Sequence, residues 1–279
     1  MKSKTDKRFA LRLAASSSLS TSSELSVEDL RAEGPSSRPL RAKGFTLVEL
    51  LVVISIIILL AGILVPSLDY ARTFAKSTSS KALIHTLSAG LDMYKIETKL
   101  GKVYPPSTGT LNTVAVDGAQ TLVLALAGQD LLGTKGFPNG NVYDSNTSDP
   151  SFGPFIDISK TTISSPNTLK NFSWNGSGGN PSAPVVVDAF NWPVLYFEPN
   201  ASGSYVESDN THFLTPSRDP IADSGKFAAY IQDYRVANLT GGTYKPYNSD
   251  SYILISAGPD KKYGTADDVD NFDPSAQLP

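Results

Sequence analysis

The sequence predicts an α+β protein in which a long N-terminal helix packs on a small antiparallel β-sheet. Three observations predict it. Residues 45–65 form an unbroken apolar run. An apolar stripe at helical spacing continues to residue 94. Short β-branched and aromatic runs then appear in the C-terminal part.

The helix comes first. Residues 1–43 are polar and Ser-rich, without sustained periodicity, and read as a leader outside the fold. The run 45–65, FTLVELLVVISIIILLAGILV, has 21 residues and one charge, Glu49. At about 1.5 Å per residue such a helix crosses the ~30 Å hydrocarbon core of a membrane. It is too long and too apolar for a buried core helix. Gly62 and Pro66 are candidate kinks, but helix-compatible sequence resumes at Ser67. Leu83, Leu87, Leu91 and Tyr94 recur on one face, with Ser, Thr and Lys on much of the other. Gly101 and then Pro105-Pro106 place the helix end near residues 100–101.

A second helix is expected over 119–132, AQTLVLALAGQDLL. Residues 134–184 are rich in Gly, Asn, Ser and Pro and read as a long insertion, partly ordered. Strand-sized runs follow at 185–187, 194–197 and 252–255, while 226–236 suits helix or strand equally.

Charge is divided along the chain. Residues 1–44 carry nine Lys/Arg against five Asp/Glu, and the remaining 235 carry fifteen against twenty-two. A basic head before an apolar run is an orientation signal, with the head cytoplasmic and the acidic body exported. An acidic body argues against nucleic acid as the main partner, because phosphate binding needs clustered Lys/Arg. The absence of cysteine excludes disulfides, thiolate metal sites and cysteine catalysis.

The junction Lys43-Gly44-Phe45-Thr46-Leu47-Val48-Glu49 sets a glycine after basic residues, an apolar run directly after it, and one acid five residues on. A secretory signal would place cleavage after the apolar segment, not before it. An ionisable group at membrane depth is costly and is usually paired and functional. A cation that could pair with it is the N-terminal amine that a cut before Phe45 would create; the alternative is an interfacial Glu49 that stays at the headgroups or is protonated. Residues 44–49 resemble the prepilin peptidase site of the type IV pilin and pseudopilin family. The resemblance implies cleavage after Gly44, N-methylation of Phe45, and assembly through the apolar helix. Glu49 would then meet Phe45 of a neighbouring subunit.

The second informative segment is 252–273, YILISAGPDKKYGTADDVDNFD. It carries Asp260, Asp267, Asp268, Asp270 and Asp273 against only Lys261 and Lys262. Flexible oxygen ligands suit Ca²⁺ rather than zinc, and the spacing does not fit an EF-hand. The segment resembles the C-terminal calcium loop of the major pseudopilin of type II secretion, matching at Ser256, Gly258, Asp260, Gly264, Asp267 and Asp268. By that resemblance Asp260, Asp267 and Asp268 are the side-chain ligands of a calcium ion. Lys261 stands where that family has glycine. The alternative is a solvated acidic tail. Residues 188–196 are similar to a pseudopilin turn that feeds a strand, in imperfect register, and Tyr104-Pro105 matches the family's junction after the helix.

Enzyme motifs do not appear. No G-x-S-x-G, P-loop or G-x-G-x-x-G is present, and His85 and His212 are isolated in sequence. Asp219, Asp223 and Asp233 are not placed together by any pattern, and Trp174 and Trp192 suit core packing better than a sugar surface.

The resemblance therefore implies a structural subunit rather than an enzyme. It implies a leader over 1–44, an assembly helix over 45–66 and a periplasmic pilin-like domain over 67–279. The expected function is a pseudopilus subunit of type II secretion. The expected partners are further copies in a helical filament, prepilin peptidase, an inner-membrane assembly platform, and membrane lipid before assembly. Two alternatives remain: a type IV pilus subunit for adhesion, motility or DNA uptake, and a membrane-anchored binding module that uses the 134–184 insertion.

Overall fold

Helix α1 runs from Leu47 to Ile96 through Pro66 without interruption. This computed structural model describes residues 44–97, 100–101, 103–137, 141–143, 151–237 and 244–272. The leader before Gly44 and the acid Asp273 lie outside the described residues. Contacts divide the chain into a unit that ends at Ile54 and a second that begins at Ser55.

In the second unit, α1 buries Ser80, Ile84, Leu87, Gly90, Leu91 and Tyr94. The alternating three- and four-residue steps make one stripe, which is the expected one with Ile84 in place of the half-buried Leu83. Gly90 sits on the stripe because a Cβ there would lie 2.8 Å from Ile156 and 3.1 Å from the Phe155 carbonyl. The helix stops at Ile96, short of the expected 100–101, and Leu100 turns back into the core beside Tyr104 and Phe137. Burying that leucine against the core outweighs another helical turn in solvent.

Strands β1 (Gly109–Leu111) and β2 (Val114–Val116) form a hairpin, and β3 (Val142–Tyr143) adds to β1 in parallel. Helix α2 covers Gly118–Leu126 and is buried along its whole length. It ends well before residue 132. Gly128 has φ +80°, and a Cβ there would lie 2.0 Å from the Gly133 carbonyl oxygen, so the chain must turn. The insertion contributes β3 and β4 (Ile163–Ser164); β4 pairs with β5 (Val185–Val186).

The central sheet is β10-β9-β6, with β6 at Val194–Phe197, β9 at Ile253–Ser256 and β10 at Val269–Asp270. All its pairings are antiparallel. Its faces divide cleanly. Val194, Tyr196, Leu254 and Val269 pack with the α1 stripe and α2, whereas Leu195, Phe197, Ile253 and Ile255 pack with Trp192, Phe213, Ile221, Phe227 and Tyr263. A strand buried on both faces needs no polar alternation, which is why VLYF and ILIS read as continuous apolar runs. The ambiguous 226–236 segment is both things in turn: α3 (Lys226–Tyr230) runs into β7 (Gln232–Ala237), which pairs with β8 (Tyr244–Pro246). The expected α+β arrangement, with an antiparallel sheet on the helix stripe, is the one observed.

Candidate functional site

Two places in the sequence carry the chemistry. At the N-terminal end of α1, Gly44 and Phe45 precede the helix and are exposed. Thr46 caps the helix. Its backbone N–H and its hydroxyl each donate to Glu49 Oε2 at 2.9 Å, and its hydroxyl oxygen accepts the Glu49 N–H at 3.1 Å. This is a reciprocal capping box, in which Glu49 accepts the Thr46 N–H and Thr46 accepts the Glu49 N–H. Glu49 thus has a partner in its own chain, before any neighbour arrives. The pattern Thr46-x-x-Glu49 was present in the sequence.

Among the described residues, α1 alone is a helix long and apolar enough to cross a membrane. Its apolar residues from Leu47 to Val65 are exposed throughout.

The C-terminal loop is built between β9 and β10. Gly258 has φ +60°, and a Cβ there would lie 2.1 Å from the Asp267 carbonyl oxygen, so the two ends of the loop close on each other at this glycine. Asp260 N–H donates to Asp267 Oδ2 at 3.1 Å, and Asp260 Oδ1 accepts the Lys262 N–H at 2.8 Å. Gly264 N–H donates to Asp268 Oδ2 at 2.7 Å. The Thr265 hydroxyl lies 2.6 Å from Asp267 Oδ1, 3.3 Å from Asp268 Oδ1 and 3.3 Å from the Lys262 carbonyl oxygen. Tyr230, from α3, sets its hydroxyl 2.9 Å from Asp268 Oδ2 and 3.2 Å from Asp270 Oδ2.

The loop therefore gathers Asp267, Asp268, the Thr265 hydroxyl and the Lys262 carbonyl around one point. Asp260 joins through its backbone N–H rather than its carboxylate. Among the described residues, no three His, Cys, Asp or Glu side chains form one group that could hold a metal ion. The donors that do converge are all oxygen, which is the chemistry calcium takes. Burial pushes the Asp268 carboxyl up to about 7, against hydrogen bonds from Gly264, Tyr230 and Thr265 that pull it down. Lys261 takes the left-handed conformation at φ 61° although it is not glycine. Its ammonium lies 5.3 Å over the Trp192 ring, a contact that offsets the backbone cost.

The turn over 188–192 supports this loop. Asp188 Oδ1 accepts the N–H groups of Phe190 and Trp192, and Asp188 Oδ2 accepts the Ser256 hydroxyl at 2.6 Å. Ser256 ends β9, so one buried carboxylate ties the turn before β6 to the start of the C-terminal loop. Trp192 is buried in the core. Asp219 is held by the adjacent Arg218, and Asp233 by Arg235 two positions on.

His212 is isolated in sequence but not in space. Its Nδ1 lies 2.8 Å from Asp117 Oδ1, its N–H donates to Asp117 Oδ2, and its ring stacks on Trp174 with centroids 4.6 Å apart. Asp117 is the N-cap of α2, and sequence reasoning missed it. The two residues stand 95 positions apart, and no local pattern connects them.

Comparison with known proteins adds three findings. Residues 40–65 match the family described as the prokaryotic N-terminal methylation motif. The chain is 32% identical over 124 residues to the type IV wide pilus major component PilA4 of Thermus thermophilus, a match that covers 40% of this chain and 95% of that protein. It is 43% identical over 54 residues to the type II secretion system core protein G of Pseudomonas aeruginosa, covering 19% of this chain and 38% of that one. No solved structure gives a significant match.

Proposed function

The chain belongs to the type IV pilin family, and on that footing we propose that it is a structural filament subunit, joined to its neighbours through the apolar part of α1. The observation that carries this reading is the N-terminal arrangement of Gly44, Phe45, Thr46 and Glu49. Prepilin peptidase removes the leader after Gly44, and the new Phe45 amine is N-methylated. That amine is a cation at neutral pH, with an ordinary pKa of about 7.7–8.0. Thr46 engages Glu49 Oε2 and no hydrogen bond to Oε1 is formed among the described residues, so Oε1 is the oxygen that meets a neighbour's Phe45 amine. Pairing the two charges removes the cost of each at membrane depth and sets the axial step between copies.

Before assembly the subunit sits in the inner membrane through residues 45–66, with its folded part in the periplasm. Within the family, the C-terminal loop favours the pseudopilus of type II secretion. There Asp267 and Asp268 would supply carboxylates to a calcium ion and Thr265 a hydroxyl, and Asp260, whose carboxylate accepts the Lys262 N–H, would have to turn toward them to add a third. The ion supplies positive charge to a segment that has few cations of its own. A type IV pilus is the second reading, and it is supported by the 95% coverage of a pilus component.

Deletion of the gene distinguishes the two. Loss of protein export with surface filaments intact supports the pseudopilus. Loss of surface filaments with export intact transfers the subunit to a pilus. Filaments and export both intact would defeat the proposal. Retention of the leader when Gly44 is changed to a bulky residue is expected; normal processing there would remove the cut site.

A further inference from the structure

Three Asn-x-Ser tripeptides occur among the described residues, beginning at Asn171, Asn175 and Asn200. Asn-x-Ser/Thr is the acceptor pattern for N-linked sugar on exported chains when x is not proline and the segment lies on the surface. The structure separates the three. Asn175 Nδ2 donates to the Leu214 carbonyl at 2.6 Å and to the Thr211 carbonyl at 3.2 Å, so its nitrogen is committed to the fold. Asn171 is followed by Phe172, whose ring packs on Trp192 and Phe213 at 5.2 and 5.6 Å and pins that tripeptide to the core. Asn200, Ala201 and Ser202 are all exposed. They open a tight turn after β6, in which the Gly203 N–H donates to the Asn200 carbonyl and the Asn200 N–H to the Ser204 carbonyl, each at 2.9 Å. Phe197 and Tyr205 are buried on either side, so the turn projects from a fixed base.

The Asn200 carboxamide is also polarised. Its Oδ1 accepts the Ser202 hydroxyl at 2.6 Å, the Ser202 N–H at 3.0 Å and the Ser204 N–H at 3.1 Å. Its Nδ2 makes no hydrogen bond among the described residues. A carboxamide nitrogen is a poor nucleophile because its lone pair is shared with the carbonyl. Donors on the oxygen stabilise the charge it gains when Nδ2 gives up a proton, and so favour the reactive form. We propose that Asn200 is an N-glycosylation site, which receives an oligosaccharide from a lipid-pyrophosphate-linked donor through a membrane transferase. Nδ2 forms a bond to the anomeric carbon of the first sugar. The bond from that carbon to the pyrophosphate oxygen breaks, the lipid pyrophosphate leaves, and the Nδ2 proton passes to a base of the transferase. No electrons are exchanged with an outside oxidant or reductant. The attached sugar gives the turn a bulky, hydrophilic cover. The proposal rests on the periplasmic placement of the folded part given above, because the donor and its transferase act on exported chains.

The test is fragment mass spectrometry of the full chain purified from the cells that make it, with Asn200→Gln, Ser202→Ala and Ser202→Thr beside the unaltered protein. Added mass in whole sugar residues is expected on Asn200 in the unaltered chain and in Ser202→Thr. It should be lost in Asn200→Gln and in Ser202→Ala. The reading on the unaltered chain does not depend on any variant folding well. Protease added outside spheroplasts reports in parallel on which side of the membrane the folded part lies. Unmodified Asn200 on a chain cut by that protease overturns the glycosylation and leaves the export reading intact. Unmodified Asn200 on a chain protected from it overturns the export reading, and the glycosylation with it. Sugar that persists in Ser202→Ala, or that is carried on Asn171 or Asn175 instead, overturns the assignment to this turn.

Discussion

Thr46 and Glu49 hold each other at the head of α1, with the threonine N–H and hydroxyl both on Glu49 Oε2 and the glutamate N–H returned to the threonine oxygen. The carboxylate invoked for contact between subunits is therefore oriented within its own subunit first. Thr46 is a positioning residue for that contact, and this has a measurable consequence.

Thr46→Val keeps the size and branching of the side chain but removes its hydroxyl. Cleavage after Gly44 should be retained, while the yield of sheared filament falls, and Thr46→Ser should restore it. Glu49→Ala should also be cleaved normally and assemble less than Thr46→Val. Normal filament yield from Glu49→Ala would remove the charge-pairing argument.

Leu91 lies on the buried stripe of α1, in the cluster that includes Tyr196, Leu254 and α2. Leu91→Ala should lower the stability of the folded part by about 2–5 kcal/mol, from lost transfer energy plus the cavity. Chemical denaturation of the chain in detergent measures this. The exposed Met93, two positions on, should cost far less when changed to Ala.

Gly258 closes the C-terminal loop at φ +60° with no room for a Cβ. Gly258→Ala should therefore destabilise by more than about 1 kcal/mol and cancel any gain from calcium. In the unaltered chain, calcium at a hundredfold excess over Kd should raise stability by about 2.7 kcal/mol relative to EDTA. An unchanged melting temperature would defeat the calcium assignment.

Glu198 is half-buried beside Asp209, which in turn bonds Ser107 at 2.5 Å. Burial first, and the Asp209 charge second, push its carboxyl up to about 7 from 4.5. A raised carboxyl favours the protonated form in the folded state, so its contribution is fully present below the unfolded pKa. It is lost as pH rises through the folded pKa. Stability should fall between about pH 4.5 and 7, by about 1–3 kcal/mol after allowance for solvent screening. Glu198→Gln should flatten that slope, and a parallel slope in the variant would assign it elsewhere.

The parts of this protein that were legible in the sequence are those with a local cause. A glycine before an unbroken apolar run marks the cut site, because only covalent neighbours define it. The α1 stripe and the runs VLYF and ILIS were legible because helix and strand periodicity is a property of consecutive residues. Even the Thr46–Glu49 cap was written at a spacing of three.

The tertiary structure alone decided the rest, because it depends on segments far apart in the chain. Helix α2 stops at Gly128 where another carbonyl crowds the turn, so its end is a packing event. Strand β3 joins β1 in parallel across the insertion, a pairing that needs a crossover no turn signature announces. Asp117 meets His212 only after folding. The same holds in the C-terminal loop. Its acids were visible in the sequence as a cluster, but which of them converge was settled by Gly258, Thr265 and Tyr230, the last supplied from α3. Charge density is a property of composition. The placement of each carboxylate is a property of the core that anchors the loop.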